Sequence, residues 1–275
     1  MRIPNYQPPK SIQQDRPCPE GFCPKSFMAL LYGSKGSGKT NILLHIIEEY
    51  QKYKFFDKIY VFSPTHLSDP KQQLIKDYCQ NVKYYGSYTN ETFTKVLEEI
   101  KTDLEELKEY EKKMKLWKKF KKKGHAALSD EELLQIYMFE FEEPPKPKFD
   151  HLPYTLIVFD DQIGNAELYK PQARGVFPQF AILHRHLLCS VIFSVQIYRG
   201  GVPKCVRSNL DWWVLTKNKS ISVMKEVAED LTSYATEEQI IKMWEEATDE
   251  AYSWFCINLM NKEFRFTKNF DEKIL

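Results

Sequence analysis

Short, continuous apolar runs alternate along this chain with longer stretches in which apolar residues return every three or four positions. Phe27-Met28-Ala29-Leu30-Leu31-Tyr32 reads as a buried strand, and the periodic stretch 41–50 reads as a helix. Lys58-Ile59-Tyr60-Val61-Phe62 forms a second strand, ended by Ser63-Pro64, and Val82-Lys83-Tyr84-Tyr85 a short third. Three more runs follow, at 154–159, 188–195 and 212–215, with helical segments between them. Strands that are apolar at nearly every position are buried on both faces, as in a parallel sheet covered by helices. The order predicts an α/β fold with a mainly parallel central sheet flanked by helices.

Two regions break the alternation. Leu97, Ile100, Leu104, Leu107 and Met114 fall at three- and four-residue steps, so 97–143 opens with a long amphipathic helix. Its first half is acidic (Glu98, Glu99, Asp103, Glu105, Glu106, Glu109) and its second half is dense in lysine between Lys112 and Lys123. That polarity complements the helix dipole. A second helix starts at Ser129 as N-cap and runs to about Phe141, before Pro144-Pro145-Lys146-Pro147. The whole, about 97–147, reads as a helical hairpin inserted ahead of the fourth strand. The lysine run fits a solvated helix face or contact with a phosphate backbone or a neighbouring subunit. The tail at about 251–267 reads as two strands joined by a tight turn around Met260 to Lys262, a C-terminal β-hairpin at the sheet edge.

Composition adds boundaries. Residues 1–25 are polar and Pro-rich, which predicts a flexible arm ahead of a core beginning at Ser26. The formal net charge is +1, so bulk charge selects no partner. No apolar run has the length of a membrane span, and the N-terminus lacks the apolar core of a secretory signal. The 6 cysteines are scattered and sparse, which points to an intracellular, reducing compartment. Cys18 and Cys23 are half of a zinc site at most, since no second pair at ligand spacing follows. His184 and His186 do not share a helix face, so packing or a backbone hydrogen bond suits them better than a metal.

The densest chemistry lies between the first strand and the first helix. Gly33-Ser34-Lys35-Gly36-Ser37-Gly38-Lys39-Thr40 matches the phosphate-binding pattern G-x-x-x-x-G-K-[ST]. Backbone N–H groups must curl around phosphate oxygens there, and glycines permit that approach. The helix N-terminus adds positive partial charge. Lys39 is placed to reach the β- and γ-phosphates, and Thr40 to ligate Mg²⁺. By chance the bare pattern arises in roughly one chain in a hundred of this length; the strand and helix flanking it lower that further.

A second half of the site comes later. Leu156-Ile157-Val158-Phe159 runs into Asp160-Asp161, a Walker B strand. Asp160 at its end is placed to hold Mg²⁺ through water, and Asp161 to polarise an attacking water. The next strand ends in Ser194-Val195-Gln196, where an amide can bond both a γ-phosphate and the lytic water without titrating.

Here the sequence resembles a family. The stretch Leu156 to Asp161, then Arg185-His186-Leu187-Leu188-Cys189-Ser190, then Gln196, then Val202-Pro203-Lys204-Cys205-Val206-Arg207-Ser208-Asn209 is similar to the A32-type genome-packaging ATPases. These occur in large double-stranded DNA viruses, virophages and related elements, within the FtsK–HerA superfamily. The resemblance spans roughly residues 26–217. It implies an additional-strand, RecA-like P-loop ATPase domain occupying 26–275, which assembles as a ring, a hexamer, and pumps double-stranded DNA into a preformed capsid. ATP and Mg²⁺ are then its ligands, a capsid or portal-vertex protein its partner, and the virion or host cytoplasm its location. On this resemblance residues 33–40 match Walker A, Asp160 and Asp161 match Walker B, and Gln196 matches the sensor. Such rings complete the site with an arginine from the neighbouring subunit. Arg207, between the sensor strand and the next strand, is the leading candidate and Arg185 the second.

Other readings stay open at the level of sequence. A P-loop nucleotide kinase carries an arginine-rich lid, whereas this insertion is lysine-rich and precedes the Walker B strand. Thr216-Lys217-Asn218-Lys219 is superficially like a guanine-reading T-K-x-D element but ends in Lys. A nucleotide-dependent structural subunit, or another translocase or helicase of the FtsK–HerA type, completes the set.

Overall fold

The computed structural model describes residues 16–274 except 163, 170–174, 203 and 219. Residues 1–15 of the arm, Pro203 and Lys219 therefore lie outside the described residues. The apolar runs become strands β1 (Met28–Tyr32), β2 (Lys58–Phe62), β3 (Val82–Tyr85), β4 (Thr155–Asp160), β5 (Cys189–Val195) and β6 (Trp212–Thr216). Three more, β7 (Trp254–Asn258), β8 (Phe266–Lys268) and β9 (Glu272–Lys273), close the chain. The helices are α1 (Lys39–Gln51), α2 (Pro70–Gln73), α3 (Ile75–Tyr78), α4 (Asn90–Lys123), α5 (Asp130–Met138), α6 (Ala166–Tyr169), α7 (Val176–Leu183), α8 (Lys204–Arg207), α9 (Ser222–Asp230) and α10 (Glu237–Ala247). The chain divides into two compact units, one of Met1–Phe93 with Tyr154–Leu275 and one of Thr94–Pro153.

In the larger unit one 9-stranded sheet runs β3-β2-β4-β5-β1-β6-β7-β8-β9 among the described residues. The first six strands in that order are parallel, and β7, β8 and β9 join antiparallel. Every residue of β1, β2, β4, β5 and β6 is buried, as their unbroken apolar character demands. The strand β5 lies between β1 and β4, so the phosphate-loop strand and the Asp160 strand are separated by one added strand.

Aromatic rings pin the register of this parallel half. Tyr85, Phe62, Phe159 and Phe193 stand opposite one another on β3, β2, β4 and β5. Their ring centroids are 4.9, 5.2 and 4.9 Å apart and the planes lie within 21° of parallel. Cross-strand aromatic pairs each contribute about 0.2–1 kcal/mol, and a one-residue slip would break all three at once.

Within 16–25 several side chains are anchored on the larger unit. Arg16 pairs with Asp57 at 3.1 Å and its guanidinium lies 4.7 Å from the Tyr154 ring centroid. Phe22 and Cys23 are buried, and the Tyr50 hydroxyl bonds the Cys23 carbonyl at 3.1 Å. Burial of Phe22 against Trp212 outweighs the local polarity that marked the segment as loose.

The smaller unit is a helical hairpin, as the pattern predicts, with different ends. The long helix α4 has 34 residues and begins at Asn90, because the Thr89 hydroxyl accepts the Thr92 N–H at 3.1 Å and caps it earlier than the apolar stripe shows. Ser129 caps α5 through a reciprocal box with Glu132. The helix stops at Met138 rather than Phe141, where Glu140 and Phe141 take φ of 52° and 58°. Leu116, Trp117 and Ile136 form this unit's own core. Part of the lysine run is structural, since Lys119 pairs with Glu132 at 2.6 Å and Lys113 with Glu109 at 2.5 Å.

At the C-terminus the two expected strands pair, but the turn between them is not tight. The Asn261 amide oxygen accepts N–H groups of Glu263 and Phe264, both at 3.1 Å, which folds 261–264 into a loop and delays β8 to Phe266. No helix among the described residues is long and apolar enough to cross a membrane.

Phe159→Ala removes the middle of the aromatic ladder at a fully packed position. It is expected to cost about 3–5 kcal/mol of unfolding free energy, read as a lower denaturant midpoint; a shift under about 1 kcal/mol would show that the ladder does not hold the register.

Candidate functional site

The parallel strands end level with one another. Phe62 pairs with Phe159, Asp160 with Ser194, and Tyr32 with Val195. The residues that follow, Ser63, Asp161, Gln196 and Gly33, therefore emerge together at the C-terminal edge of the sheet.

Gly33 continues the ladder by one bond, its N–H donating to the Val195 carbonyl at 3.2 Å. A Cβ there would lie 2.1 Å from Thr216 Oγ1 and 2.4 Å from Ser37 Oγ, so the position excludes any side chain. Gly38, at φ 91°, turns the chain into α1. Ile42, Leu43, Ile46, Ile47 and Tyr50 bury that helix and fix its N-terminus beside the loop. Lys39 Nζ donates to the carbonyls of Gly33 at 2.8 Å and Ser34 at 2.9 Å, folding back along the loop. Burial lowers the Lys39 pKa, opposed by the charges of Asp161 and Asp160.

Asp160 is buried at the end of β4, and one of its oxygens is already held. Oδ2 accepts from Gln72 Nε2 at 2.6 Å and from Ser63 Oγ at 3.3 Å, while Gln72 Nε2 also reaches Ser63 Oγ at 2.9 Å. Burial raises the Asp160 pKa and the charge of Asp161 adds to the rise; the Ser63 hydrogen bond and Lys39 pull it back. Asp161 follows at φ 50°, its N–H bonded to the Ser194 carbonyl at 3.1 Å. Its Oδ1 accepts from Gln196 Nε2 at 2.9 Å, so the tip of β5 and the end of β4 are tied by their side chains.

Lys35, Gly36, Gly38, Lys39, Thr40, Asp160, Asp161 and Gln196 line one cavity of about 610 Å³. Ser37 lines an adjoining pocket, and Gly33 and Ser34 face Lys39 through their carbonyls. The two halves recognised in the sequence thus meet at one place. The same cavity is lined by residues the sequence did not single out: Asn41, Thr65, Asp69, Lys71 and Tyr252. Thr65, Asp69 and Lys71, with Gln72 behind them, come from the segment after β2. Their only signal was that β2 adjoins β4 and ends at the same level, which topology shows and local pattern does not. Lys71 Nζ bonds Asn41 Oδ1 at 2.9 Å across the mouth.

The two arginines lie elsewhere. Arg185 sits in the turn His184–Leu187 ahead of β5 and pairs with Asp211. Asp211 precedes β6, and its Oδ2 accepts the Met28 N–H at the start of β1 at 3.0 Å. Arg207, in α8, pairs with Asp230 at 3.2 Å and its guanidinium lies 5.9 Å from the Tyr198 ring centroid. Both line a second cavity of about 570 Å³ with Lys204, Ser208 and Asp211, at the N-terminal end of the strands. Neither reaches this chain's own phosphate loop. His184 is buried with Nδ1 2.8 Å from the Cys189 carbonyl, the backbone bond its spacing implied. The Thr216 hydroxyl donates to the Tyr32 carbonyl at 3.3 Å, so the residue that opens the T-K-x-D-like stretch braces β1.

No protein-family model matches this sequence, and no curated protein matches it. Among solved structures, the chain is similar to the genome packaging NTPase B204 from Sulfolobus turreted icosahedral virus 2 in complex with AMP. The TM-score is 0.52 and the identity 12%, covering 91% of this chain and 98% of that one. The same NTPase in complex with ATP-gammaS gives 0.51 and 12%, covering 88% and 96%. B204, the DNA-packaging ATPase from Sulfolobus Turreted Icosahedral Virus, gives 0.50 and 12%, covering 85% and 92%. At such identity the likeness speaks for architecture: the chain has the α/β fold of P-loop NTPases, with the added strand between its two phosphate-facing strands.

Proposed function

We propose that this chain is an ATP-hydrolysing motor subunit that translocates double-stranded DNA, and that its task is to drive a viral genome into a capsid. The observation that carries the reading is the 2.9 Å bond between Gln196 and Asp161, in the cavity that also holds Lys39 and Asp160. A pocket built only to bind nucleotide has no need of an amide and a carboxylate tied together opposite the phosphate loop.

The triphosphate lies along the glycine turn, its oxygens met by backbone N–H groups and the α1 N-terminus. Lys39 exchanges the Gly33 and Ser34 carbonyls for phosphate oxygens. Thr40 and Asp160 give an oxygen-only donor set, hydroxyl and carboxylate on one cavity, which suits Mg²⁺ with waters completing its shell. When bound, Mg²⁺ neutralises charge on the phosphates. Asp161 polarises the attacking water, and Gln196 orients it while sensing the γ-phosphate. Gln72 and Ser63 keep Asp160 aimed.

Charge developing on the transferred group calls for a further cation. Arg207 and Arg185 line a cavity other than that of their own phosphate loop, and in this reading one of them serves a neighbouring subunit, as in a ring. The size of the ring, by resemblance a hexamer, and docking on a capsid or portal-vertex protein belong to the same proposal. So does a location in the virion or the host cytoplasm. The likeness to a genome packaging NTPase and a DNA-packaging ATPase supports it.

Asp160 links the site to pH. Its folded pKa is raised, so its contribution to stability is full below the ordinary aspartate range and is lost as pH rises through the raised value. Ionising this buried carboxylate as pH rises therefore carries a cost. Asp160→Asn is expected to raise the thermal midpoint of the nucleotide-free protein at neutral pH and flatten its pH dependence, while abolishing Mg²⁺-dependent hydrolysis. A midpoint that falls equally at all pH values contradicts the buried-charge account.

Lys39→Ala is expected to abolish triphosphate binding in titration calorimetry. Gln196→Ala is expected to keep binding and slow hydrolysis by about 10²–10³-fold; unchanged turnover would make that amide structural. For the ring, wild-type subunits doped with Arg207→Ala are expected to lose turnover faster than in proportion to the doped fraction. A proportional loss removes Arg207 as the arginine in trans.

A further inference from the structure

The phosphate cavity opens sideways into a second, smaller pocket of about 210 Å³. Gly38, Asn41 and Tyr252 line both, so the two are continuous across the start of α1. Ser37, Ile42, His45 and Trp254 form the rest of its walls. The His45 and Trp254 rings meet edge to face at 6.5 Å. In this direction a molecule with its phosphates on the glycine turn continues against aromatic surface.

Tyr252 is the notable residue. It is 75% exposed and holds φ 64°, a conformation that bulky side chains rarely adopt. Its ring lies over the phosphate loop, with Cδ1 3.5 Å from where a Gly38 Cβ would be. Nothing in the fold uses that ring for packing, and the backbone outlier is the kind of strain that persists at ligand clamps. Of the polar groups around it, Asn41 Oδ1 accepts from Lys71, and His45 Nδ1 lies 3.8 Å from Glu49 Oε1. The Trp254 indole N–H is itself buried and so offers no donor at the pocket surface.

We infer that this pocket takes the nucleotide's base, a purine, by stacking against Tyr252, and that it holds the face of the base without reading its edge. The inference rests on the nucleotide site proposed above and adds its specificity: adenine and guanine are accepted nearly alike. Base–aromatic stacking is tolerant of base identity and is lost on truncation of the ring.

The test is titration calorimetry of the full chain with Mg-ATP, Mg-GTP and Mg-tripolyphosphate, for wild type, Tyr252→Gly and Tyr252→Phe. Glycine relieves the backbone and deletes the ring; phenylalanine keeps the ring. The expected result is ATP and GTP affinities within about threefold of each other, and both about tenfold or more above tripolyphosphate. Tyr252→Gly is expected to bring both nucleotides down towards tripolyphosphate, leave tripolyphosphate binding and the thermal midpoint undiminished, and Tyr252→Phe to match wild type. Wild-type binding of ATP no tighter than tripolyphosphate overturns the base pocket alone. So does a Tyr252→Gly variant that binds ATP like wild type, or one that loses ATP and tripolyphosphate equally. A preference for ATP over GTP beyond about a hundredfold overturns stacking without edge reading. Wild type that binds neither ATP nor tripolyphosphate overturns the nucleotide site itself.

Discussion

Four strands must end at one level for this molecule to work, and the stacked rings of Phe62, Phe159 and Phe193 are what hold three of them there. Side chains alternate along a strand, so a slip of one residue would turn Asp160 away from Ser63 and Gln196 away from Asp161. The aromatic ladder sits one residue before the carboxylate and does no chemistry itself. Its effect is to convert packing energy into placement. The outer side of the site is fixed differently, by exclusion: Thr216 and Ser37 leave Gly33 no room for a side chain, which seats the loop between β5 and β6.

Within that frame the site is balanced against itself. Lys39 is satisfied by carbonyls of its own loop, Asp160 by Gln72 and Ser63, and Asp161 by Gln196. The buried Asp160 carboxylate would be costly without such partners. Arg185 and Arg207, by contrast, are held in ion pairs outside the phosphate cavity.

Much of this was legible in the residues. The unbroken apolar runs placed every parallel strand to within a residue or two, because burial on both faces leaves no other composition. The glycine-lysine loop and the Asp160-Asp161 pair were readable because phosphate and metal chemistry demand fixed residue types at fixed spacing. Gln196 was found from its place at a strand end. Gln72, Thr65, Asp69 and Lys71 were not, since nothing local marks them: they matter only because β2 lies beside β4. Tyr252 was hidden for a similar reason, as its strained backbone is invisible in the sequence. The anchors Arg16 and Phe22 within 16–25 carry no local signal, because they stand alone in a polar, Pro-rich surround. The delayed start of β8 came from one Asn261 side chain bonding its own backbone.

The central claim is that the glycine turn and the paired aspartates grip one triphosphate and its metal for hydrolysis that moves DNA. Steady-state ATP hydrolysis by the full chain, with and without Mg²⁺ and with and without linear duplex DNA, tests it most directly. The account predicts hydrolysis that requires Mg²⁺ and rises when duplex is added. Absence of hydrolysis with Mg²⁺, ATP and duplex all present would contradict it.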